Sequence, residues 1–136
     1  MQAIQPIDAA GEYILSFENL EVTLLQIGFQ FTLNFWETDD YFVDIDIDSQ
    51  FIFMSGSDIL EINPEEYPLA IAPVLVVLHQ KLESITIMKS GLLNIVFSNQ
   101  MKISVPPNEM YEAWSVSGPN GFRVICTPGG GLDITP

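Results

Sequence analysis

Apolar and polar residues alternate with a period of two along much of this chain, the pattern of strands buried on one face. In residues 29–35, Phe29, Phe31, Leu33 and Phe35 are separated by Gln30, Thr32 and Asn34. In residues 41–48, Tyr41, Val43, Ile45 and Ile47 alternate with Phe42, Asp44, Asp46 and Asp48. The two runs are expected to pair as a hairpin across Glu37–Asp40, with Phe35 opposite Tyr41 and Leu33 opposite Val43. That register puts both apolar sets on one face, and a slip of one residue would turn a strand over. Residues 51–54 are expected to add a third strand.

A second meander follows. Ile85 and Ile87, then Leu93, Ile95 and Phe97, then Met101, Ile103 and Val105 all fall on odd positions. Pairing Ile87 with Leu93 leaves the loop Lys89-Ser90-Gly91, whose glycine takes the left-handed position a three-residue hairpin loop needs. Pairing Phe97 with Met101 leaves Ser98-Asn99-Gln100, with no glycine. A third hairpin pairs Val116 with Val124 around Pro119-Asn120-Gly121. There proline presets the first turn position and glycine takes the left-handed one. Pro128-Gly129-Gly130-Gly131 reads as a turn before a short end at Leu132–Ile134.

One helix is expected. Asn63 and Glu66 have capping-box spacing around Pro64, but Pro68 and Pro73 interrupt a long helix. The reading is a turn at 63–67 and one short helix near 69–79. Residues 12–26 lean toward strand by content. A short likeness between residues 46–54 and 96–104 raises an internal duplication. The expected fold class is α+β but mostly β: antiparallel meanders in one or two packed sheets, with one short helix, in a single domain spanning 1–136.

Composition narrows the function classes. Hydrophobic residues make up 48% of 136, which argues against disorder. The single cysteine, Cys126, cannot form an internal disulfide, so a reducing, cytoplasmic setting is expected. The start of the chain lacks the basic and apolar regions of a signal peptide. The apolar run at 68–78 is too short to span a bilayer. Residues 1–66 hold 14 Asp or Glu and no Lys or Arg, while residues 67–136 hold four of each sign, so the net charge of −14 lies in the first half. Nucleic acid and anionic membranes are disfavoured as partners. The charge serves either solubility or an acidic face for a basic protein.

Asp44, Asp46 and Asp48 have the first, third and fifth spacing of a calcium loop, but Ser49 and Ser55 stand where glycine and glutamate are required. On a strand the three carboxylates form a row with roughly 7 Å between neighbours, too far apart for one ion. They are read as a solvated strand face opposite Gln30 and Thr32, and as the candidate partner-binding face. His79 and Cys126 have the residue types of a nucleophile–base pair, but Cys126 falls on the apolar face opposite Trp114 and is expected to be inert. Glu109 and Glu112 beside Tyr111 have the residue types of an acid–base pair without a specific pattern. The glycine run lacks the elements of a phosphate loop. No catalytic residue, cofactor or metal is expected.

The second half carries a resemblance. An apolar, proline-containing segment at 68–78 and a hairpin at 93–105 are followed by Tyr111-Glu112-Ala113-Trp114. Gly118-Pro119-Asn120-Gly121 and Pro128-Gly129-Gly130-Gly131-Leu132 then complete the set. Together these resemble a family of short uncharacterised bacterial proteins with a C-terminal YEAW, GPxG and PGG signature, although this chain lacks a tryptophan near its end. The family implies no activity. Size and acidity are similar to those of immunity proteins that neutralise basic toxins, an analogy rather than a motif. The leading expectation is a non-enzymatic acidic interaction protein of that kind. The alternatives are a self-associating structural β protein, for which homo-oligomerisation stays open, and a small-molecule binder.

Overall fold

The computed structural model describes residues 7–9, 11–65 and 68–135. Thirteen strands occur among them: β1 Ile7–Ala9, β2 Glu12–Ser16, β3 Val22–Ile27, β4 Phe31–Thr38, β5 Tyr41–Ile47, β6 Phe51–Ser55, β7 Asp58–Ile62, β8 Leu82–Met88, β9 Leu93–Phe97, β10 Met101–Val105, β11 Trp114–Ser117, β12 Arg123–Cys126 and β13 Leu132–Thr135. They form two antiparallel sheets. The first has the order β1-β2-β8-β9-β10-β6-β7 and the second β13-β12-β11-β5-β4-β3. The mostly β, antiparallel architecture is the expected one, and of the two arrangements left open it is the two-sheet form.

Period-two alternation builds the core. On β5, Val43, Ile45 and Ile47 are buried, and on β9 and β10 so are Leu93, Ile95, Phe97, Met101, Ile103 and Val105. The inner faces meet through aromatic pairs. Phe31 on β4 stacks on Phe51 of β6 with ring centroids 5.9 Å apart, and Phe35 on β4 stacks on Phe97 of β9 at 6.2 Å. One continuous cluster of buried apolar residues draws on both sheets, the packing of a sandwich. At one end the sheets touch through backbone. Trp114 Nε1 donates to the Gly91 carbonyl at 2.9 Å, and a Cβ added at Gly91 would lie 2.7 Å from Gly130 Cα.

The second meander and the third hairpin keep their expected registers. Ile87 faces Leu93, Ile103 faces Ile95 and Val116 faces Val124. Gly91 is left-handed at φ 97 and Gly121 at φ 78, and Gln100 takes the same conformation at φ 59 without being glycine.

The first hairpin departs from its expected register by two residues. Phe35 faces Val43, Leu33 faces Ile45 and Phe31 faces Ile47, with a bulge between Trp36 and Thr38. The bulge takes up Glu37 and leaves a two-residue turn, Asp39-Asp40. An even slip keeps each side chain on its face, so the apolar pattern alone does not detect it. Phe29, expected on the buried face, lies in the β3–β4 turn and is 92% exposed. Nor does β6 extend the first hairpin. It crosses to the other sheet and pairs with β10 and β7, whereas β9 and β10 form a hairpin within one sheet. The likeness of 46–54 to 96–104 therefore does not mark a repeated unit.

The expected helix is a 3-10 segment, Pro68–Val77. Its buried residues, Ile71, Val74 and Val77, recur every third position, the 3-10 repeat. Pro73 has no N–H to continue an α-helical ladder. Ahead of it the Asn63 side chain accepts from the Glu65 amide at 3.1 Å; Glu66, the other half of the expected capping box, lies outside the described residues. No helix among the described residues is long and apolar enough to cross a membrane.

Candidate functional site

Strand β5 sits inside the second sheet, between β4 and β11. Its even residues point away from the core, so Asp44 and Asp46 stand on the sheet's outer face and Asp48 follows at the strand's end. The shifted register changes what faces them. Asn34 lies opposite Asp44 and Thr32 opposite Asp46, in place of the expected Thr32 and Gln30. On the other side lie Ser117 and Ser115.

These neighbours are donors. Asn34 Nδ2 donates to Asp44 Oδ1 at 2.6 Å, and Thr32 Oγ1 donates to Asp46 Oδ1 at 2.7 Å. Ser115 Oγ donates more weakly to Asp46 Oδ2 at 3.4 Å. Gln26 on β3 extends the ladder by donating to Asn34 Oδ1 at 2.8 Å. Hydroxyls and amides thus hold the carboxylates in place without cancelling their charge. Cross-strand neighbours also leave Asp44 and Asp46 only half-exposed, less open than the solvated face the sequence predicts. Arg123 occupies the same transverse row as Asp44, with Ser117 between them.

Asp48 belongs to a different setting. The chain leaves β5 there to cross between sheets, anchored by the Asp48 amide donating to the Ala113 carbonyl at 2.8 Å. An open cleft of about 440 Å³ lies beside it, lined by Asp48, Glu65, Tyr111, Glu112 and Pro128. Burial, and then the neighbouring charges of Glu65, Asp46 and Glu112, push the Asp48 carboxyl above its usual range. Glu65 and Glu112 are far apart in sequence, and no local period links them to Asp48. Three connections bring them together: β5–β6 carries Asp48, β10–β11 carries Glu112, and the segment after β7 carries Glu65. Of the Glu109, Tyr111 and Glu112 group, Tyr111 and Glu112 line this cleft.

The remaining candidates do not form a site. Cys126 is fully buried on β12, its sulfur 3.5 Å from the Gly91 carbonyl. Burial raises its thiol pKa, partly offset by a hydrogen bond from the Ala113 backbone. His79 lies beyond β3 at the opposite edge, where its amide donates to the Val22 carbonyl at 2.9 Å. Four inter-strand spacings, on the order of 19 Å, separate β12 from β3 alone, and His79 lies one step further out. The glycine run is a turn, with Gly129 and Gly130 left-handed at φ 86 and 99. Among the described residues no three His, Cys, Asp or Glu side chains stand close enough to hold a metal ion.

The molecule is thus an antiparallel β-sandwich with an acidic, hydrogen-bonded outer face and an acidic cleft at its margin. By sequence it belongs to the family of unknown function DUF6188, whose profile matches residues 13–136. No curated protein and no solved structure matches the chain.

Proposed function

We propose that this chain is a non-enzymatic interaction protein whose acidic surface binds a basic protein, most concretely as an immunity-type inhibitor covering a basic toxin in a bacterial cytoplasm. The observation that carries this reading is the continuity of uncancelled negative charge from Asp44 and Asp46 on the outer face to Asp48, Glu65 and Glu112 around the cleft. The carboxylates on the face are held by neutral donors, and residues 1–66 contain no Lys or Arg. Holding like charges together opposes folding, and a cationic partner relieves that repulsion while gaining speed of encounter and orientation. His79 and Cys126 stand apart across the second sheet, so that particular nucleophile–base pair does not form.

The test begins with capture of binding proteins from the source cell at low salt. The affinity of a captured basic protein is then measured for wild type and for Asp46→Asn at two salt concentrations. The reading expects weaker binding by the variant and weaker binding at higher salt. Equal affinities throughout would refute it.

One observation favours self-association instead. The 3-10 segment leaves Leu69 66%, Val76 55% and Leu75 42% exposed, in a stretch without charge. An oligomer whose stability does not depend on salt would support that alternative.

A further inference from the structure

A sandwich offers edges as well as faces, and the four edges of this one differ. β1 has three residues and β13 four. β3 is bulged after Val22, and that residue is closed off by its neighbours: its amide donates to the Gln80 carbonyl at 3.0 Å and its carbonyl accepts from the His79 amide at 2.9 Å. β7 is bare by comparison. Its five residues pair with β6 in unbroken register from Ser55↔Asp58 to Phe51↔Ile62. Among the described residues no strand lies on its far side and no backbone bond reaches it from a loop. It lacks the proline, lysine or bulge that blunts an edge, and Ile59 is 70% exposed.

We infer that β7 is a docking edge for an extended basic segment of the partner, which adds a strand to the first sheet. This rests on the reading above that the partner is basic. Main-chain hydrogen bonds to the open edge would supply affinity, and alternate side chains would supply selectivity. Charge chooses the occupant. Asp58 and Glu61 lie within the strand, and the chain runs from Ile62 through Asn63 and Pro64 to Glu65 at the acidic cleft. Asp58 and Glu61 lie on opposite faces of β7, so lysines or arginines three positions apart on an incoming strand meet these carboxylates. A second copy is a poor occupant. Two-fold pairing across this edge brings together two copies of a strand that carries Asp58 and Glu61 and no cation, and joins two chains of net charge −14.

The probe is a short Thr- and Val-rich peptide with Lys at every third position, added to the isotope-labelled full chain and followed by backbone amide exchange. Slowed exchange at alternate residues of Asp58–Ile62 is expected. Ile59→Lys should weaken peptide binding by about tenfold, while Thr135→Lys, which adds the same charge at an edge of the other sheet, leaves it nearly unchanged. Ile59 is exposed enough for its variant to fold. Salt-dependent binding that protects another region and is indifferent to Ile59→Lys would overturn the docking edge and leave the basic-partner reading standing. So would failure of the peptide to bind while the captured basic protein binds. If neither binds, both readings fall.

Discussion

The two sheets share a core but differ in what the middle of each outer face presents to solvent. On the outer face of the first sheet, a transverse row runs Thr86, Asn94, Ser104, Ile52, Glu61. The next row sets Lys102 between Val96 and Met54. Ser104 Oγ donates to Asn94 Oδ1 at 2.6 Å, a neutral pair. In the second sheet the corresponding bond, also 2.6 Å, runs from Asn34 to the charged Asp44. Both ladders satisfy their polar groups, so folding alone does not call for carboxylates in one and amides in the other. The charge on the second face is surplus to what the sandwich needs, which makes it the place to look for a partner.

The strongest way to break the comparison is to remove what both faces share. Phe35→Ala deletes a ring that stacks across the core, and large-to-small changes of this kind cost about 3–5 kcal/mol. Urea denaturation should show that loss, with probes on both sheets moving together. Gly91→Ala should cost about 2–4 kcal/mol, because a left-handed residue gains a Cβ against the backbone of Gly130. At Gly121 nothing lies within 4 Å of an added Cβ, so Gly121→Ala should cost only about 1 kcal/mol, for its positive φ. Equal losses at the two glycines would contradict the contact between the sheets.

Asp48 provides a smaller, pH-dependent effect. Its folded pKa lies above the ordinary value of 3.8, so the folded state binds the proton more tightly than the unfolded chain. This group's contribution therefore favours folding most at pH below 3.8 and declines as pH rises through the folded pKa. Above that window a constant penalty remains. Asp48→Asn should thus raise the melting temperature at neutral pH, and the gain should fade as pH drops through the window. A gain that persists unchanged at low pH would show that repulsion around the cleft is not its source. Smaller still, Asp46→Asn should change stability in the absence of partner by no more than about 0.5 kcal/mol, because an amide oxygen can still accept from Thr32.

Most of the fold was legible because its strands obey a single period and its decisive turns are spelled locally. Gly91 and Gly121 announce left-handed positions, and the odd-numbered apolar residues of 85–105 specify one register. Where reading failed, the deciding information was not local. The bulge at Glu37 shifts a register by an even number, which leaves every side chain on its own face. β6 has the pattern of a third strand whichever sheet it joins. β7, with Ile59 and Leu60 both exposed, hides its alternation altogether. The same holds at the candidate site. Asp44, Asp46 and Asp48 are conspicuous as a row, yet Asp48 is drawn into a cleft with Glu65 and Glu112 by three connections distant in sequence. Thr32 and Ser115 gain their role only once the strands are paired.

The most direct test of the central claim is the association rate of the captured basic protein, measured from low to high salt. Wild type is compared with Asp46→Asn on the second sheet and Lys102→Gln on the first. Both substitutions change the net charge by one unit, on opposite faces. The account predicts a wild-type rate that falls steeply with salt, a slower low-salt rate for Asp46→Asn, and no slowing for Lys102→Gln. A rate indifferent to salt and to Asp46→Asn, or one slowed only by Lys102→Gln, would contradict it.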